Sequence, residues 1–256
     1  MPPPHRCSRR VEFVAGVPVA TFDELDSTSA EAKRRAATGD AGPVWIVARR
    51  QTSGYGRRGD AWRSDEGDLM ATRLFPLRRN DPPPAQLSFV SAIAMGDTID
   101  SLAPGAGLQL KWPNDVLIDG AKVCGLLPEL VSRPGADPIV ALGVGLNIVS
   151  APNLPDKATT RLADHLGAPP KPAVDLVLAR LEAALAARLA EWRYGGFEPI
   201  RRAWTARAFG LGARARIVGA GAELQGVVTG LEPDGGLRLE HQGRIVIARA
   251  GSFVLD

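Results

Sequence analysis

The dipeptide Asp119-Gly120 lies between two apolar runs, residues 116–118 and 122–130. Asp-Gly tolerates the positive φ angles that a two-residue turn requires at both central positions, so the runs read as the arms of an antiparallel hairpin. Further strand-like runs occupy residues 44–48, 69–77, 108–112 and 139–149, while residues before Thr21 read as an irregular or strand-like lead-in. Helical signals alternate with these strands. Asp26-Ser27-Thr28-Ser29 offers N-cap oxygens to a short helix that stops at Gly39. Asp81-Pro82-Pro83-Pro84 opens another helix through Leu87, Val90, Ala94 and Ile99. From Val174 the apolar positions Val177, Leu178, Leu181, Leu185, Leu189 and Trp192 repeat at the helical period, ending at Gly195-Gly196. A second helix follows through Phe197, Ile200 and Trp204. After Gly210 short β-rich runs alternate with Gly219-Ala220-Gly221 and Asp234-Gly235-Gly236. The expected organisation is a mixed α/β domain over residues 1–209 and a small all-β domain over 210–256.

Charge and special residues narrow the function. The net charge is +3 and the arginines are dispersed, whereas nucleic-acid binders concentrate charge on one face. A GC-rich coding sequence explains much of the arginine and alanine excess equally well. No apolar stretch is long enough for a membrane span, and the residues following Met1 lack the apolar core of a secretory signal, so the cytoplasm is the expected compartment. Cys7 and Cys124 cannot build a disulfide framework, and Cys124 reads as a small buried hydrophobe. His5, His165 and His241 show no metal-ligand spacing.

Two segments could carry chemistry. Gly54-Tyr55-Gly56-Arg57-Arg58-Gly59 matches the dinucleotide fingerprint G-x-G-x-x-G. That motif must open a helix at once, and Asp60-Ala61-Trp62-Arg63 has no helical period, so a Rossmann site is set aside. No Gly-Lys-Ser/Thr follows, which also excludes a P-loop. The loop can be a surface turn with solvated arginines, or it can fold over an anion. The second segment, Lys111-Trp112-Pro113-Asn114-Asp115 with Lys122 across the hairpin, sets a carboxylate beside two ammonium groups. Pro113 favours an extended Trp112. Such a cluster serves either as a structural ion-pair group or as an anion site.

Together these segments resemble the biotin–protein ligase family. Residues 51–62 resemble its Gln-x-x-Gly-Arg-Gly-Arg-x-Gly-Arg-x-Trp loop, and residues 111–127 its Lys-Trp-Pro-Asn-Asp and Lys-x-x-Gly-Ile-Leu segments. Ser27-Thr28-Ser29 resembles Ser-Thr-Asn, and Gly143-Val144-Gly145-Leu146-Asn147 resembles Gly-x-Gly-x-Asn. The resemblance implies an α+β fold: a mixed sheet like that of class II aminoacyl-tRNA synthetases and biotin synthetases, flanked by helices, with a small C-terminal SH3-like β-barrel. It implies adenylation of biotin by ATP, with Mg²⁺ accompanying the nucleotide, and transfer to a lysine of a biotin carboxyl carrier protein. No DNA or membrane partner is expected, because the family's separate DNA-binding domain has no room here; a monomer or weak homodimer is expected.

By the same resemblance Lys122 contacts the biotin carboxylate and the acyl-phosphate, and Arg57 belongs to the loop that closes over the adenylate. Ser27, Thr28, Ser29, Gln51, Gly54, Tyr55, Gly56 and Gly125 join them at biotin. Arg58, Trp62, Lys111, Asn114, Asp115 and Asn147 join Arg57 and Lys122 at ATP, with Trp62 stacked on adenine and Lys111 and Asp115 supporting the phosphates. Asp115 is also a candidate to accept a proton from, or orient, the carrier lysine. Four positions depart from the pattern: Tyr55 replaces an arginine, Asp60 an arginine or lysine, Ser29 an asparagine, and Asp68 a residue often asparagine. The rival readings are a lipoate or octanoate ligase, which lacks the Lys-Trp-Pro-Asn-Asp segment, and a catalytically weak biotin-binding module.

Overall fold

The computed structural model describes residues 12–154, 157–167, 172–219 and 223–256. His5, Cys7 and the Ala220-Gly221 turn lie outside the described residues.

Eight strands form one sheet: β1 (Glu12–Val14), β2 (Val17–Leu25), β3 (Val44–Gln51), β4 (Leu69–Pro76), β5 (Leu108–Lys111), β6 (Asp115–Ile118), β7 (Ala121–Val131) and β8 (Ile139–Leu146). Their order is β1-β2-β3-β4-β8-β7-β6-β5. The β2–β3 pair is parallel and the others are antiparallel, so the sheet is mixed as expected. The hairpin holds: Asp119 and Gly120 adopt φ of 50° and 78° between β6 and β7. The lead-in is more regular than the sequence implied. It is a hairpin turning at Ala15-Gly16, also in the left-handed region at 49° and 82°.

Helix α1 (Thr28–Ala37) begins where the Ser27 hydroxyl accepts the Ala30 N–H at 3.4 Å, with Glu31 in its first turn and Arg34 and Arg35 in its last. Those charges complement the helix dipole. It packs on one sheet face, while α2 (Leu87–Leu102), α3 (Val174–Gly195) and α4 (Phe197–Thr205) cover the other. Strand residues alternate between the two layers. Trp45 and Val47 of β3 join the α2–α4 core, and Val44, Ile46 and Ala48 join the α1 core. In β8, Val140, Leu142, Val144 and Leu146 face the first core and Ile139 and Ala141 the second. Gly143 and Gly145 continue that second face, which is therefore bare of side chains beyond α1.

The α3 stripe predicted from the sequence is buried, and Glu182 is buried within it. Glu182 Oε2 accepts from Arg73 Nε at 2.8 Å and Trp45 Nε1 at 2.7 Å, and Oε1 from Arg73 Nη2 at 3.0 Å.

The tail contains β9 (Arg214–Val218), β10 (Leu224–Leu231), β11 (Leu237–His241), β12 (Arg244–Ala248) and β13 (Ser252–Leu255). Their order is β12-β11-β10-β9-β13. Among the described residues no ladder joins β12 to β13, so the strands form an antiparallel sheet, not the closed barrel the sequence suggested. Its core is continuous with the larger one, since Leu231, Leu237, Leu239 and Phe253 belong to the cluster containing Phe89 and Trp112. The Trp112 indole donates to Gly235 O at 3.2 Å, and Leu110 exchanges backbone bonds with Arg207 and Phe209 at 2.7 and 2.9 Å.

Candidate active site

The glycines on the bare face floor a cleft of about 830 Å³ between the large sheet, the residue 51–62 loop and the tail. A Cβ on Gly145 would sit 2.3–2.5 Å from atoms of the Trp62 ring, and one on Gly125 2.8 Å from that ring. Trp62 thus lies on backbone that only glycine leaves clear. The indole sits where the strands are stripped of side chains and donates to Ser64 Oγ at 2.9 Å. Gly145→Ala is expected to displace the indole and raise the KM values of substrates in this cleft by about ten-fold. Steady-state kinetics check this.

The glycine loop folds on itself. Trp62 N–H donates to Gly54 O at 2.9 Å and Gly56 N–H to Asp60 O at 2.7 Å, pairing Tyr55 with Ala61. A turn at Arg57–Gly59 closes the arms, with Arg58 at φ 58°. A Cβ on Gly54 would meet the Gln51 amide at 2.7 Å and Trp62 O at 2.9 Å, so the arms approach closely there. The turn presents both arginines. Arg57 Nη1 donates to Asn114 Oδ1 and to Gly251 O, each at 3.4 Å, and Arg58 Nη2 donates to Gly219 O at 3.2 Å. Burial, then the neighbouring Arg58 charge, lowers the pKa of the Arg57 guanidinium.

At one end of the cleft Ser27, Thr28 and Ser29 are buried. Gln51 Oε1 accepts from Thr28 N–H at 2.7 Å and Thr28 Oγ1 at 3.1 Å. Thr72 Oγ1 donates to Thr28 Oγ1 at 2.9 Å and lies 3.1 Å from Ser29 Oγ. Thr72 escaped sequence reasoning; its only signal was a hydroxyl inside the apolar run of β4.

At the hairpin Lys122 Nζ meets Asp115 Oδ1 at 2.7 Å and stands 5.3 Å from the Trp62 ring centroid. The β6–β7 register shifts by one residue next to Lys122, and both Val123 and Cys124 fall into the core. Burial pushes the Cys124 thiol pKa up, so it remains an inert thiol. Lys111 on β5 is the cross-strand partner of Asp115, but the carboxylate pairs with Lys122 instead. The Lys111 Nζ lies 5.8 and 5.6 Å from the ring centroids of Phe209 and Phe253, and it forms no ion pair among the described residues. Burial, partly offset by Asp115, lowers its pKa. Both aromatics belong to the tail and its junction, which spacing could not associate with Lys111.

Asn114 Nδ2 donates to Leu126 O at 2.7 Å, next to a cis Trp112–Pro113 peptide. Asn147 is buried; its Nδ2 donates to Thr160 O at 3.0 Å while Oδ1 has no partner among the described residues. A buried acceptor without a donor is costly. Asp68 is buried beneath it and accepts the N–H groups of Ile148, Val149 and Ser150 at 2.8, 2.8 and 3.1 Å, fixing the chain after Asn147. The cleft therefore gathers all sixteen residues singled out from the sequence except Gly54, which shapes the loop behind Trp62. Arg57, Arg58, Lys111 and Lys157 line it without a carboxylate partner among the described residues, a surplus of cations that suits a polyanion.

Comparison with known proteins agrees with this geometry. Residues 22–147 match the sequence model of the Biotin/lipoate A/B protein ligase family. The chain is 38% identical over 239 residues to the biotin–[acetyl-CoA-carboxylase] ligase of Paracoccus denitrificans, spanning 89% of this chain and 97% of that protein. The chain belongs to the biotin–protein ligase family. The ligase of the same name from Mycobacterium tuberculosis is 34% identical, over 90% of this chain and 86% of that one. Among solved structures, the Aquifex aeolicus biotin protein ligase in complex with biotin and ATP superposes with a TM-score of 0.79 at 25% identity, covering 93% of this chain and 98% of that one. The family's mixed sheet and C-terminal antiparallel sheet are both present. Among the described residues no helix is long and apolar enough to cross a membrane.

Proposed function

We propose that the chain is an ATP-dependent biotin–protein ligase that forms biotinyl-5'-AMP and transfers biotin to a lysine of a carboxylase carrier domain. The observation that carries this reading is the convergence of Arg57, Lys111 and Lys122 on one glycine-floored cleft whose far end holds a buried hydroxyl–amide cluster. A carboxylate and a polyphosphate repel. At an effective dielectric of about 20, a unit-charge contact near 4 Å is worth roughly 4 kcal/mol, so several cations must offset the encounter. In the first step a biotin carboxylate oxygen attacks the α-phosphorus. The new P–O bond forms as the bond to the β-phosphate oxygen breaks, and pyrophosphate leaves. Lys122 holds the carboxylate and the developing acyl-phosphate, Arg57 and Arg58 close the loop over the adenylate, and Lys111 supports the phosphates. Trp62 packs against adenine, and Asn114 and the unpartnered Oδ1 of Asn147 meet the nucleotide. Mg²⁺ bound to the ATP substrate would neutralise part of its phosphate charge.

Ser27, Thr28, Ser29 and Gln51 hydrogen-bond the ureido ring, with Tyr55, Gly56 and Gly125 closing that pocket. A urea buried there must be satisfied at each polar atom, which discriminates against the dithiolane of lipoate and the bare chain of octanoate. In the second step the neutral amine of the carrier lysine attacks the acyl carbon, the C–O bond to phosphate breaks, AMP leaves, and the amine proton passes to Asp115. Asp115→Asn is expected to slow single-turnover transfer from preformed adenylate by about a hundred-fold, and full transfer would remove Asp115 from this step.

We assign biotin and ATP binding and catalysis to residues 1–209, with residues 210–256 a separate tail of SH3-like kind. A cytoplasmic location and a monomer or weak homodimer without DNA partners complete the reading. Because Lys111 is charged only below a depressed pKa, kcat/KM for ATP is expected to fall on the alkaline side, starting below the ordinary lysine value of 10.5. Lys111→Arg keeps its charge and moves that limb upward; a limb unmoved by this change removes Lys111 from the phosphates. The function itself is tested by the mass of a carboxylase carrier domain incubated with enzyme, ATP and biotin. One biotinyl adduct requiring both small molecules is the expected result.

A further inference from the structure

Tyr55, between the first two glycines of the loop, is tied down by residues that no motif includes. The Tyr55 hydroxyl donates to Glu129 Oε2 at 3.1 Å, and Lys33 Nζ donates to the other oxygen, Oε1, at 3.0 Å. The same ammonium lies 5.0 Å from the centroid of the Tyr55 ring. These contacts close a ring that joins the loop, β7 and α1. Lys33 and Glu129 side chains keep 40% and 25% exposure, so the ring sits at the rim of the cleft and not in the core. Tyr55 alone of the three lines the cleft, at the end where Ser27–Ser29 and Gln51 are gathered. An arginine at position 55 would repel Lys33 and leave Glu129 shared between two cations. A tyrosine supplies a hydroxyl to one oxygen and a π face to the ammonium.

We propose that Tyr55, Glu129 and Lys33 form a latch that holds the glycine loop closed over the acyl-substrate end of the cleft before any ligand arrives. They are positioning residues, and the identity of the ligand as biotin rests on the function proposed above. A loop with glycines at 54, 56 and 59 is costly to order. Ordering it in the free protein removes that cost from substrate binding and so tightens it.

Amide hydrogen exchange of residues 52–61 in the ligand-free protein, compared among wild type, Tyr55→Phe and Glu129→Leu, tests the latch directly. Exchange of the loop is expected to quicken by about ten-fold in both variants with Tm retained. In Glu129→Leu the KM for biotin should rise by about ten-fold while the rate at saturating biotin changes far less. Unchanged loop exchange, or a lower maximal rate with unchanged KM, overturns the proposal. Should Glu129→Leu fail to fold, Tyr55→Phe, which removes one oxygen atom, decides by itself. If the wild type shows no biotin-dependent reaction, the functional reading fails, and the exchange comparison still decides the latch because it uses no ligand.

Discussion

Lys122→Ala is expected to lower pyrophosphate release from ATP and biotin by about a thousand-fold. Two effects act in the same direction. The ammonium that meets the developing acyl-phosphate is removed, and Asp115, whose Oδ1 lies 2.7 Å from it, loses its counter-charge in a site that must admit two anions. The lysine is delivered by rigid backbone. Lys122 N–H donates to Ala158 O at 2.8 Å and its carbonyl accepts from Thr160 N–H at 2.9 Å, so the alanine variant keeps the strand while losing the charge. The two effects separate in a double-mutant cycle. Adding Asp115→Asn to Lys122→Ala removes the uncompensated carboxylate and should recover about ten-fold of the pyrophosphate-forming step, without restoring it. A Lys122→Ala protein that releases pyrophosphate at the normal rate contradicts the assignment.

Glu182→Ala should be the most destabilising of the single changes considered, costing about 3–5 kcal/mol. The residue is 4% exposed, on the inner face of α3. Its carboxylate is the partner of both Arg73 on β4 and the Trp45 indole on β3. Truncation leaves Arg73 Nε and Nη2 and the Trp45 indole N–H buried without an acceptor, the guanidinium keeping only its Nη1 bond to Leu74 O at 3.1 Å, and it leaves a cavity between α3 and the sheet. The measurement is the urea midpoint at constant m-value. A shift corresponding to less than about 1 kcal/mol, the scale of an exposed pair, would show that the bridge contributes no more than one at the surface. The site lies on the opposite face of the sheet, so variants that remain folded should keep their substrate KM values.

Local signals made much of the fold legible. Ser27 and Gly39 bracket α1, the heptad-like stripe marks α3, and Asp119-Gly120 marks the β6–β7 turn, each through a rule that acts within a few residues. The lost features lack such local signals. Ala15 takes a left-handed φ that alanine does not advertise, the parallel β2–β3 pairing is a long-range choice, and β13 spans only Ser252–Leu255. The site divides in the same way. Lys122 and Asp115 could be paired from the sequence because one hairpin carries both. Phe209 and Phe253 line the cleft, and Thr72, Glu129 and Lys33 hold residues that line it, from elements far away in the chain, and no spacing announces them. Glu182 was hidden for another reason: a charge on an apolar stripe is read as a break in the pattern until its buried partners are known.

The central claim is that one cleft activates biotin with ATP, and initial pyrophosphate release answers it most directly. The full-length protein is mixed with MgATP and, in separate reactions, biotin, lipoate or octanoate, with and without a carrier domain. Release that requires biotin and is near background with the other two acids is the predicted result. Release driven by lipoate or octanoate while biotin remains inert would contradict the account.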